Sequence, residues 1–134
     1  MTIFRYRSAA LLAAVAPIGC QKTALPAAEN CPKQELGFEL QQYKVPSPEL
    51  LPKCLTEQAV KLSAAGGTAD EVASAVVTAC NSSVGIYESF AGIRRFSQRD
   101  LNAQADGQAE VREAAKRYAL TRVVQVRAGE CSKK

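Results

Sequence analysis

Five cysteines and no histidine limit the chemistry open to this 134-residue chain. Without an imidazole there is no Ser-His-Asp or Cys-His machinery and no histidine proton shuttle. Cys31, Cys54, Cys80 and Cys131 are spaced too widely to act as paired zinc ligands, so no metal centre is expected. The chain has no C-x-x-C pair for thiol redox work and no S-x-x-K for Ser-Lys chemistry. Glu35 and Glu39 stand four apart, a spacing that can serve acid/base work and more commonly marks a solvated helical face. Gly66-Gly67-Thr68 before a helix could cradle a phosphate, but it lacks the lysine and full spacing of a P-loop. Asp70 and Glu71 would also repel the anion. Catalytic residues, cofactors and metals are therefore not expected.

The first twenty residues address location instead. Arg5 and Arg7 precede an apolar region of about 11 residues that begins with Ala9–Ala16, and the stretch ends at Pro17-Ile18-Gly19-Cys20. A short basic region, a short apolar region and a small residue before a cysteine describe an export signal; the run is well below the ~20 residues that span a bilayer. The stretch resembles a bacterial lipoprotein signal, which implies lipidation at Cys20 as the mature N-terminus. Gly19 and Cys20 fit that pattern, whereas Pro17 and Ile18 depart from it. Cleavage without lipid near Ala24–Ala28 is the competing expectation. Residues 1–19 are read as signal peptide, 20–48 as tether or irregular arm, and 49–131 as a helical domain. With Cys20 set aside, an even four cysteines remain, which in a small exported chain reads as two disulfides with three connectivities open.

Charge does not point to nucleic acid. Removing Arg5 and Arg7 from 17 basic residues leaves 15 against 13 acidic ones, and no nucleic-acid partner is expected. Tryptophan is absent and the core must lean on Ala, Val and Leu, which makes disulfide stapling energetically reasonable in a domain of about 110 residues.

The elements that position these residues are all helical. Leu36, Leu40 and Tyr43 suggest a short helix within residues 33–44, amid the prolines of the arm. Leu55, Ala59 and Leu62 form one stripe, closed by Gly66-Gly67; Thr68-Ala69-Asp70-Glu71 then matches the capping box before Val72, Ala75, Val76 and Ala79. Together these predict an antiparallel helical hairpin. Folding it about Gly67 sets Leu62 opposite Val72, Ala59 opposite Ala75, Leu55 opposite Ala79, and Cys54 opposite Cys80. The predicted bridge is therefore Cys54–Cys80, leaving Cys31 to pair with Cys131. In the chain-entropy model, closing a loop of ~100 residues contributes up to ~4.7 kcal/mol, against roughly 3 for the hairpin bridge. Ile86, Phe90 and Ile93, with Tyr87 beside them, predict a further helix over residues 83–96. Asn102–Gly107 reads as a polar loop, and Val111, Ala115, Ala119, Val123 and Val126 predict a last helix over residues 108–128, stopped by Gly129. The expected fold is all-α: about four helices built on a disulfide-tied hairpin, with an irregular N-terminal arm.

Arg94, Arg95, Arg99, Arg112 and Lys116 are the candidate basic contact surface, with Arg117, Arg122 and Arg127 further along the last helix. A basic amphipathic helix can meet anionic lipid or an acidic partner, whereas a solvated outer face needs no partner at all. The run from Cys54 through the capping box to Ala79-Cys80 is similar to that of small exported bacterial helical proteins of unknown function, a likeness of about thirty residues that implies no activity. The expectation is an exported, membrane-anchored, non-catalytic binding or accessory protein of the cell envelope, its partner an envelope protein or an anionic lipid surface. The alternatives are a secreted disulfide-stabilised inhibitor or toxin-like factor, and a small histidine-free hydrolase.

Overall fold

A computed structural model describes residues 28–96 and 101–132, with side chains over 28–94 and 104–131. Residues 1–19, expected to be a signal peptide, lie outside the described residues together with Cys20 and Arg99, as does the side chain of Arg95. The described chain is a small all-α bundle with two disulfides: α1 (Phe38–Gln41), α2 (Leu50–Leu62), α3 (Ala69–Ala79), α4 (Asn81–Phe96) and α5 (Leu101–Arg127). Short 3-10 turns at Ala28–Asn30 and Glu130–Ser132 sit at its two ends.

Local chemistry explains the boundaries. Pro52 stands in the first turn of α2, where a missing N–H breaks no intrahelical bond. The turn after α2 passes through Gly67 at φ 108°, a conformation that favours glycine. Thr68 then starts α3 with a complete capping box: its Oγ1 accepts from the Glu71 N–H at 3.2 Å, and its own N–H donates to Glu71 Oε2 at 2.7 Å. α3 and α4 abut at Cys80, whose φ and ψ of −97° and 19° interrupt the helix for one residue. Gly129, at φ 73°, lies just past the end of α5.

α5 is the axis of the molecule and packs against α2, α3 and α4. Its buried side includes Val111, Ala115, Ala119 and Val123, as the spacing predicts, and also Ala114, Tyr118 and Arg122. Three expectations are corrected. The polar stretch Asn102–Gly107 is not a loop: it forms the first turns of α5, where Gly107 is buried. In α3 the buried residues are Val72, Ala73, Val76 and Val77, while Ala75 and Ala79 are exposed, because this helix turns toward α5 as well as α2. In α4 the core side chains are Val84, Tyr87 and Ala91; of the expected stripe, Phe90 packs partly buried against the core, while Ile86 and Ile93 are 39% and 69% exposed.

Both bridges have the expected partners, Cys54 with Cys80 and Cys31 with Cys131. The first joins α2 to the α3–α4 junction. The second joins the arm to the turn after α5. The arm is irregular apart from the four-residue α1, so the helix expected within residues 33–44 shrinks to that one turn. It nevertheless places Leu40, Tyr43 and Val45 in the core.

Candidate functional site

Burial of an arginine organises a concavity between the arm, α2 and α5. Arg122, on the inner side of α5, is only 5% exposed, and its described acceptors are all uncharged oxygens. Its Nε and Nη2 donate to Tyr118 Oη at 3.4 and 3.1 Å, one turn earlier on the same helix. Nη1 donates to Gln125 Oε1 at 3.0 Å and to the backbone carbonyl of Pro32 on the arm. The guanidinium carbon also lies 5.3 Å from the centre of the Tyr118 ring, within cation–π range. Tyr118 Oη in turn shares a hydrogen bond of 3.3 Å with Thr56 Oγ1 on α2. This network spans arm, α2 and α5, and it underlies a groove of about 520 Å³.

The groove is walled by the arm from Ala28 to Glu35 and by Pro52, Lys53, Thr56 and Glu57 of α2. Its volume falls in the range of roughly 300–1,000 Å³ usual for small-ligand sites. Cys31 belongs to the arm wall, so the Cys31–Cys131 bridge fixes one side of the groove to the end of the bundle. Gln34 belongs to the same wall, and its side-chain carbonyl oxygen is buried without a hydrogen-bond partner. Buried polar atoms are nearly always paired, which makes this oxygen conspicuous. Three basic lining side chains, Lys33, Lys53 and Arg122, stand against three acidic ones, Glu29, Glu35 and Glu57, so the lining is neutral overall.

Of the sequence-predicted basic residues, the three with described side chains, Arg94, Arg112 and Lys116, lie outside this groove, each with a polar partner. Arg112 makes a bidentate contact with Glu88 of α4, at 2.5 and 3.3 Å, and also donates to Asn81 Oδ1 at 3.1 Å. Lys116, one turn on, pairs with Asp70 at the start of α3 at 2.9 Å. The hydrogen bond from Lys116 to Asp70 raises its pKa above the ordinary lysine value. Arg94 donates to Gln42 Oε1 at 2.7 Å, joining the end of α4 to the arm. Arg117 pairs with Glu39 at 2.8 Å. Glu35 and Glu39 do not share a helical face, since Glu35 precedes α1 and lines the groove. Arg127 donates to the carbonyls of Ser63, Ala65 and Gly67 at 3.2, 3.1 and 3.1 Å, thereby capping the C-terminal end of α2 and the turn beyond it.

From the sequence, Arg122 is grouped with the basic residues further along the last helix and given no role of its own. A signal was present: an arginine four residues after Tyr118, on the same side as Val111, Ala115 and Val123, must be buried or must snorkel. What it meets depends on Pro32, 90 residues earlier, and no local pattern carries that.

Among the described residues no three His, Cys, Asp or Glu side chains gather as a metal site, and no helix is long and apolar enough to cross a membrane. No protein-family model, curated protein or solved structure matches this chain, which leaves the buried arginine, its groove and the two bridges as the basis for function.

Proposed function

We propose that this chain is an exported, non-catalytic binding module of a bacterial cell envelope, held there by lipid on Cys20, with the groove beside Arg122 as its recognition site. The observation that carries this reading is the Cys31–Cys131 bridge, because it fixes the wall of the groove and persists in an oxidising compartment. The groove offers a hydrogen-bonded floor of Thr56, Tyr118 and Arg122, suited to holding a ligand rather than to activating a nucleophile. A protein or envelope component is favoured over an anionic lipid surface, since Arg112 and Lys116 already have carboxylate partners.

The test is the intact mass of the natively exported protein, alkylated with and without prior reduction. The expected product begins at Cys20, is heavier by a lipid, and gains four alkyl groups only after reduction. Four thiols reactive without reduction would overturn the exported module. A lipid-free chain beginning beyond Cys20 would move the same module to the secreted-inhibitor reading.

A further inference from the structure

We propose that the groove takes an acylated amino-acid unit, an amide N–H followed by a free α-carboxylate, with the carboxylate seated on Arg122 and the amide hydrogen-bonded to Gln34. The inference rests on the reading of the groove as a recognition site and names the ligand class that would occupy it.

Two unmet demands belong to side chains that line the groove. A guanidinium 5% exposed and satisfied only by uncharged oxygens is a buried charge with no carboxylate in direct contact. Arginine carries five N–H donors; the four donor–acceptor pairs to Tyr118, Gln125 and Pro32 leave one Nη2 hydrogen unassigned. A carboxylate is the group that a guanidinium recognises best, through charge-assisted hydrogen bonds. The second demand is Gln34 Oε1, buried and lacking a donor on the same groove. An amide supplies an N–H for that oxygen, and its carbonyl serves equally if the Gln34 amide lies the other way round.

The charge of the lining selects among anions. Glu29, Glu35 and Glu57 balance Lys33, Lys53 and Arg122, so a monoanion leaves the occupied groove one unit negative and a phosphate dianion two, which favours the smaller charge. Apolar walls from Ala28, Pro32 and Pro52 suit the side chain and the chain preceding the carboxylate. Capture of a terminal carboxylate is an established mode of peptide recognition. The same chemistry occurs in a small N-acylated amino acid, and ligand length separates the two sources.

The experiment titrates the oxidised mature chain with a library of N-acetylated tripeptides varied at the last two positions, each prepared as the free acid and as the C-terminal amide. Backbone amide shifts read the binding. Expected is saturable movement of Gln34, Lys53 and Thr56 with at least one free acid, and binding at least tenfold weaker for its amide. N-acetylated single amino acids run alongside: equal affinity identifies a small acid as ligand, and a tenfold gain with length identifies a peptide end. R122Q should abolish binding. Because Arg122 also holds the arm, K53E provides the independent variant: it leaves the floor intact, makes the lining net negative, and should weaken the free acid severalfold while leaving the amide unchanged. No saturable groove shift with any free acid, or equal binding of acid and amide, overturns the proposal. That failure is distinct from failure of the exported-module reading, which the thiol and mass measurement decides without any ligand.

Discussion

Single side chains in this molecule act mainly as clips between elements. Thr68 and Glu71 satisfy each other's backbone at the start of α3, and both sit at the surface, so their effect is local. Replacing Thr68 with Ala removes the side-chain acceptor and should cost about 1 kcal/mol in denaturant unfolding. The pair also carries a pH signature. The Thr68 backbone N–H, and then its hydroxyl, hold the Glu71 carboxyl below its ordinary value of 4.5. With the folded value lowered, the unfolded chain binds the proton more readily. The stabilisation is therefore complete above about pH 4.5 and lost as pH falls through the folded value. E71Q should flatten that part of the acid limb in a pH series of unfolding midpoints, and an unchanged limb would contradict the capping box. Arg127 is a second clip, between α5 and the α2–α3 turn. R127A leaves three carbonyls to water and should cost roughly 1 kcal/mol, with exchange of the amides around Gly66 rising before that of the core.

At the scale of elements, what the sequence made legible depended on where the deciding contact lay. α2, the capping box, the Cys54–Cys80 bridge and the inner stripe of α5 are written in neighbouring residues, and each is present. The faces of α3 and α4 are set by a partner far along the chain. Both pack on α5, so the burial of Ala73 and Val77 in place of Ala75 and Ala79 follows from tertiary placement. In α4 two of the three periodic residues, Ile86 and Ile93, point outward, while Val84, Tyr87 and Ala91 meet the bundle with Phe90 partly buried beside them. Polarity likewise misled at Asn102–Gly107, since a helix lying on α4 needs only one apolar side. The rotation of α4 is testable by contrast. I86S and I93S should each change stability by no more than about 0.5 kcal/mol, whereas V84A should cost roughly 2 kcal/mol from lost burial and the cavity left behind. Reversed magnitudes would mean that α4 is turned the other way. Tyr87 adds a second readout. Its hydroxyl donates to the Pro48 carbonyl at 3.2 Å, and burial, then the nearby Glu49, raises its pKa above the ordinary 10.0. The unfolded chain therefore loses that proton first. Stability should be complete below about pH 10 and decline as pH rises through the folded value, a decline that Y87F removes.

At the scale of the whole molecule the two bridges differ in what they hold. Cys54–Cys80 closes a separation of 26 residues within helices that already pack together, and Cys31–Cys131 closes 100 residues between the arm and the end of the bundle. Chain entropy alone ranks their contributions at about 3.5 and about 4.7 kcal/mol. Their structural consequences diverge further. Without Cys54–Cys80 the hairpin keeps its core, including Leu55, Ala59, Val72 and Val76. Without Cys31–Cys131 the second half of the arm stays anchored through Leu40, Tyr43 and Val45, but the half that walls the groove keeps just the Pro32 carbonyl on Arg122 and the contact of the Ala28–Asn30 turn with α2. The double variant C31S/C131S should therefore retain the helical circular dichroism of the parent while losing hydrogen-exchange protection around residues 31–36 and binding of the acylated amino acid at the groove. C54S/C80S should lower the unfolding midpoint yet preserve binding below it. Loss of binding in the second variant and not the first would detach the groove from the bridge that forms its wall, and with it the link between oxidation and recognition on which the proposed function depends.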